Sequence, residues 1–143
     1  MFVDIPPSEF INLSKATKLE KVVFYCEPNP QWVVMTLQTI TRNHKNLRQV
    51  SIMASKVLGR LRYGSINPAN VKRRVGKTTY RAWLELDRIL TQLWESHTTC
   101  PKIMYDLSCT VPVVVMRRCM GVLLPELMKR GLVRLVERPI SGR

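Results

Sequence analysis

Four cysteines and two histidines are the side chains of this 143-residue chain best suited to chemistry. Cys26, Cys100, Cys109 and Cys119 form no C-x-x-C pair, and His44 and His97 stand far apart in the sequence. Zinc sites draw their ligands from closely spaced pairs, so no metal site is expected. The cysteines read as buried or half-buried reduced thiols in a reducing compartment. A Cys–His nucleophile pair would meet only in the fold, and no spacing here points to one. Glu85 and Asp87 lie two places apart, which on a helix puts them about 200° from each other, a poor arrangement for paired carboxylates. The stretch VGKTT at Val75–Thr79 invites comparison with a phosphate-binding loop. The first glycine of that loop would fall at position 71, which is Val71, and only glycine lets the backbone wrap a phosphate there. The expectation is a non-enzyme with no catalytic residue, no metal and no cofactor.

Charge is the stronger signal. Lysine and arginine number 23 against 10 acidic residues, a formal net charge of +13. No acidic residue occurs between Glu27 and Glu85, while Arg42, Lys45, Arg48, Lys56, Arg60, Arg62, Lys72, Arg73, Arg74, Lys77 and Arg81 fall in that interval. Such a segment repels itself and attracts anions. Arg60, Arg62, Lys72, Arg73, Arg74, Lys77 and Arg81 could neutralise nucleic-acid phosphates, making the 42–81 segment the basis of one functional reading. Only Tyr63 and Tyr80 are at hand to stack on bases, so binding of this kind would be non-specific. The Lys72-Arg73-Arg74 run also fits a nuclear-localisation signal or plain surface charge.

The elements that carry these residues follow from a short repeat. LEKVVF at Leu19–Phe24 and LRQVSI at Leu47–Ile52 share the pattern L-x-x-V-x-φ, with φ a large apolar residue. Its last three positions alternate as in a strand buried on one face. Between the copies, Asn29 suits an N-cap and Pro30 a first helical position. Val33, Leu37 and Ile40 form one stripe of a helix that runs toward Asn43. A second helix, capped by Thr78 or Thr79, places Trp83, Leu86, Leu90, Leu93 and Trp94 on one stripe with Glu85, Arg88 and Gln92 opposite. CPKIMY at Cys100–Tyr105 is a degenerate third copy of the strand. A helix over MRRCMGVLLPELMKRG then follows, in which Pro125 produces a kink or starts a second short helix. Gly131 closes it as the C′ residue, and LVRLVE at Leu132–Glu137 returns to the strand pattern.

The strand starts would thus be Leu19, Leu47, Cys100 and Leu132. The wide gap before Cys100 holds a basic loop insertion at about 55–78, rich in glycine and without a helix stripe. The whole of 1–143 reads as one α/β domain, a short leucine-rich-repeat-like solenoid of parallel strands alternating with helices. Trp32, Trp83 and Trp94 are expected to anchor the core. Residues outside the apolar pattern are free to meet a protein partner: Glu20, Lys21 and Val23 on one strand, Arg48, Gln49 and Ser51 on the next. An acidic partner is expected from the Arg48 side, and apolar solenoid ends invite self-association. No apolar run approaches the roughly 18 residues of a membrane span, and MFVDIPPSEF has no secretory-signal pattern. The chain is therefore read as intracellular, cytoplasmic or nuclear, with no membrane partner.

Three stretches carry a family resemblance. WVVMTLQTITRNHKNLRQVSI at 32–52 resembles the irregular leucine-rich repeats of the F-box-like proteins of mushroom-forming fungi. WLELDRILTQLWES at 83–96 is similar to that family's W-x-x-L-D-x-x-L helix, and LLPELMKRGLVRLV at 123–136 to its LP-x-L-x-x-R-G-L segment. The resemblance implies a non-catalytic module that recognises protein substrates for a ubiquitin ligase. A full-length member carries an N-terminal F-box, whereas the first repeat here begins almost at Met1. The expectation is the repeat region without the F-box, whether as a portion of a longer protein or as a shortened paralogue.

Overall fold

The computed structural model describes residues 1–6, 9–25, 29–53, 68–97, 102–107 and 113–137. Five strands, β1 (Phe2–Ile5), β2 (Lys21–Tyr25), β3 (Gln49–Met53), β4 (Lys102–Leu107) and β5 (Val133–Glu137), form one sheet whose spatial order is the chain order. Every neighbouring pair is parallel. Parallel neighbours need a crossover between them, and the helices supply it. Helix α1 (Gln31–Leu37) lies between β2 and β3. Helices α2 (Val71–Val75) and α3 (Lys77–Ser96) lie between β3 and β4, and α4 (Val113–Leu123) and α5 (Pro125–Lys129) between β4 and β5.

The register lines up two apolar rows. One is Val3, Val22, Val50, Ile103 and Val133; the other is Ile5, Phe24, Ile52, Tyr105 and Leu135. Val22, Phe24, Val50 and Ile52 are buried, as are Leu19 and Leu47 just ahead of their strands. Against this side pack Val33, Val34 and Leu37 of α1 and Trp83, Leu86 and Leu90 of α3. Fully burying one such side chain is worth about 1.5–3 kcal/mol, and in α3 alone three of these six have no exposed surface.

Several expectations are corrected. The strand β1 stands ahead of the first expected one. In β5 it is Val133 and Leu135 that fall in the rows of Val22 and Phe24, so Leu132 is not the counterpart of Leu19. Trp83 is fully buried, but Trp94 is half-buried and Trp32 is 41% exposed, because Val33 and Val34 take the covered face of α1. Helix α1 stops at Leu37, six residues short of Asn43. Its tail tightens into turns in which Thr39 and Ile40 donate N–H groups to Thr36 and Leu37. The basic stretch is not helix-free down to Thr78, since α2 occupies Val71–Val75. Gly76, at φ 93°, separates it from α3 and takes the cap position expected of Thr78 or Thr79. Only glycine adopts that backbone without strain. Residues 55–67 of the expected insertion, and Cys26, Cys100 and Cys109, lie outside the described residues. Cys119, on α4, is buried.

Polar side chains of neighbouring elements help to fasten the first and last crossovers. Between β1 and β2 the chain turns without a helix over residues 9–20. Ile11 N–H donates to Thr36 Oγ1 (3.3 Å), and Leu13 N–H to Thr39 Oγ1 (2.9 Å). His44, fully buried, joins Leu13 O through Nε2 (2.6 Å) and Thr41 N–H through Nδ1 (3.0 Å). That pairing assigns the proton to Nε2 and uses both ring nitrogens.

At the other end, the residue before Pro125 is pushed out of helical backbone. Leu124 sits at φ −127°, ψ 63°, which ends α4 and starts α5 with proline at its first position. The free N–H groups of Glu126 and Leu127 are taken by Asp87 of α3, at 3.1 and 3.0 Å. Arg130 then ties the far end of α5 to Glu95 of α3 (2.7 Å). Gly131, at φ 68°, closes α5 as the sequence suggests. Its N–H reaches Met128 O, and Leu132 N–H reaches Leu127 O.

Burial pushes the Asp87 carboxyl above its ordinary value, with the Leu127 and Glu126 N–H groups pulling it back. A native pKa raised in this way gives a contribution to stability that is complete below the unfolded value, about 3.9, and lost as pH rises through the native one. Asp87→Ala leaves one buried and one half-buried donor without their partner and is expected to lower unfolding stability by about 2 kcal/mol in urea titrations. Asp87→Asn, which keeps one acceptor oxygen, loses less. Its deficit relative to the native chain shrinks as pH rises through the native pKa of Asp87.

Candidate recognition surface

Residues of alternate parity to the buried rows form the open side of the sheet. The described side chains there fall in three register rows: Phe2, Lys21 and Gln49; Asp4, Val23, Ser51 and Arg134; and Tyr25. Asp4, Tyr25 and Arg134 are exposed, and Lys21, Val23 and Gln49 are half-buried. The sheet therefore brings together the side chains set aside as free of the apolar pattern. Glu20 and Arg48, one residue ahead of β2 and β3, are joined at 3.7 Å, and Arg48 N–H also donates to Glu20 O (2.8 Å).

Charge at this edge is largely spoken for. The Met1 ammonium reaches Glu20 at 2.7 Å and, by donating to its carboxylate, holds Glu20 below the usual carboxylate range. The Arg48 guanidinium also stands 5.8 Å from the ring centre of Phe2. Gln49 Nε2 donates to Ser51 Oγ at 2.8 Å, and Ser51 is only 8% exposed. Of the five expected contact residues, Arg48 is exposed, Glu20, Lys21 and Gln49 are half-buried, and Ser51 is buried. Ser51 acts by holding Gln49, and Glu20 by holding Arg48. Phe2, Asp4 and Tyr25 belong to the same surface and were not singled out from the sequence. Their signal was the Val3-x-Ile5 spacing, which repeats Val22-x-Phe24.

The basic residues collect elsewhere, on the helix layer. Lys72, Arg73 and Arg74 lie on α2, and Lys77 and Arg81 on the first turns of α3; all five are exposed. Among the described residues none of them has a carboxylate partner, and Lys72 Nζ sits 4.9 Å from the ring centre of Tyr80. Arg60 and Arg62 lie outside the described residues. A phosphate-binding loop runs from a strand into a helix, whereas Val75–Thr79 runs from helix α2 through Gly76 into α3. His97 is buried with Nδ1 against Leu93 O (2.9 Å), and Cys119 is a thiol that burial pushes above its ordinary pKa. Among the described residues no three His, Cys, Asp or Glu side chains cluster as a metal would need. None of the described helices is long and apolar enough to cross a membrane.

No protein-family model matches the chain, and neither does any curated protein or any solved structure.

The two sides of the sheet predict opposite responses to truncation. Lys21→Ala should leave unfolding stability within about 0.5 kcal/mol of the native chain. Ile52→Ala, on the covered side, should lower it by about 2–5 kcal/mol. Urea titration of the two variants checks the assignment of faces.

Proposed function

We propose that this chain is a non-catalytic protein-recognition module built as a short leucine-rich-repeat-like solenoid, and that its partner lies across the open side of the sheet. The observation that carries this reading is the division of labour along each strand. Val22, Phe24, Val50 and Ile52 are taken up by the core, while Phe2, Lys21 and Gln49 stand in one register row on the other side. A parallel sheet normally has both sides covered, so a side left half-polar and half-open favours a surface kept for another molecule. Lys21 and Arg48 favour an acidic partner, and the resemblance to fungal F-box-like proteins favours a role as the substrate-recognising part of such a protein. The setting proposed is intracellular, in keeping with the free thiol of Cys119.

Affinity capture from a cell extract tests this. Proteins retained by the native chain should be lost with a variant carrying Lys21→Glu, Arg48→Glu and Gln49→Ala, and kept with one carrying Lys72→Gln, Arg73→Gln and Arg74→Gln. Retention of the same proteins by both variants would contradict it.

A second reading, binding of nucleic acid through the 42–81 segment, is favoured by the five exposed basic residues of α2 and α3 that have no carboxylate partner among the described residues. It predicts that a fluorescein-labelled oligonucleotide binds at low salt and is released steeply as salt rises. The α2 triple variant should flatten that dependence, because each lost phosphate contact removes roughly one unit from the slope. No binding at low salt would eliminate it.

Self-association is proposed through β1, an edge strand whose Phe2 is 64% exposed. Sedimentation should show a concentration-dependent mass that Phe2→Asp reduces to the monomer.

A further inference from the structure

The helix layer carries a groove that none of these readings uses. It has a volume of about 450 Å³ and runs between the tail of α1 and the C-terminal half of α3. Leu37, Ile40, Ile89 and Leu93 form its floor, and all four are buried. The rim is polar and exposed, with Gln38 and Arg42 on one side and Gln92 and Ser96 on the other.

The charge on this rim is one-sided. Arg88 also lines the groove, but Glu85 engages its guanidinium through both Nε and Nη2. Arg42 has no such partner among the described residues, and no carboxylate lines the groove. The nearest acidic residues in sequence to Arg42 are Glu27 and Glu85. An apolar floor of this size accepts one leucine-sized or aromatic side chain, and a free guanidinium beside it selects a carboxylate. Gln38 and Gln92, exposed on opposite walls, can donate to and accept from an intervening peptide backbone.

We propose that this groove is a second binding site, and that its occupant is an acidic peptide segment of a partner protein. One large apolar side chain sits on the Leu37, Ile40, Ile89 and Leu93 floor, and an adjacent aspartate or glutamate pairs with Arg42. The site is independent of the open side of the sheet, which lies on the opposite surface.

The test uses the full chain and a fluorescein-labelled peptide of alternating aspartate and leucine, followed by fluorescence anisotropy. Arg42→Glu reverses the charge on the rim, and Gln92→Trp fills the groove from an exposed position. Each is expected to weaken binding by about tenfold or more, equivalent to about 1.4 kcal/mol. Arg81→Glu and Lys129→Glu, at exposed residues that do not line the groove, make the same change in net charge and are expected to leave the affinity within about twofold. A peptide with alanine in place of leucine should bind weakly to every form. The proposal is overturned if the aspartate–leucine peptide does not bind, if Gln92→Trp binds it as the native chain does, or if all three charge reversals weaken it equally. Failure of the open-face reading would appear instead in the capture experiment with the Lys21 variant, which does not touch this groove.

Discussion

Burial of Val22, Phe24, Val50 and Ile52 on one side of the sheet is the constraint on which the rest of this molecule depends. A parallel strand cannot pair with the strand before it through a tight turn, so each must be carried back by a crossover and set down in register beside its predecessor. Val22 over Val50 and Phe24 over Ile52 is that register, and Leu19 and Leu47 extend it into the approach to each strand. A slip of one residue would turn Lys21 and Val23 inward and place Val22 and Phe24 in water. With five of these six side chains at zero exposure and the sixth, Phe24, at 1%, the register is strongly specified.

What varies along the stack is how each crossover is held. The middle one uses α3, long enough to cover the sheet with its own apolar stripe. The first, between β1 and β2, has no described helix, and its backbone is received by Thr36, Thr39 and His44 from the next unit. The last uses α4 followed by the short helix α5, which is too brief to be stable alone and has its start held by Asp87 and its end by Glu95, both from α3. In both cases a unit borrows polar groups from its neighbour. These contacts are directional, unlike apolar packing, so they fix how successive units sit.

The parallel strands at Leu19 and Leu47 were legible because L-x-x-V-x-φ occurs twice with an amphipathic helix between. Pro125 and Gly131 were legible because each residue type has a narrow backbone preference. β1 was not, because FVDI is four residues long and its outward Phe2 and Asp4 are unlike the outward residues of β2 and β3. The register of β5 was misjudged because Leu132, Val133, Leu135 and Val136 offer apolar residues at both parities, and only pairing with β4 decides between them. Trp32 shows the same limit at one residue: a large aromatic reads as core until Val33 and Val34 are seen to occupy the covered face. The role of Asp87 could not be read locally, since its partners lie 39 and 40 residues further along the chain. The groove beside Arg42 is likewise made by two helices from different units, and no spacing within either one announces it.

Nuclear magnetic resonance of the isotopically labelled chain tests the stacked register most directly. Backbone contacts between protons of Lys21 and Gln49, Val22 and Val50, and Val23 and Ser51, in the slanted pattern of parallel strands, are the predicted result. Contacts between these segments running in opposite directions, or displaced by one residue so that Val22 pairs with Ser51, would contradict the account at its base.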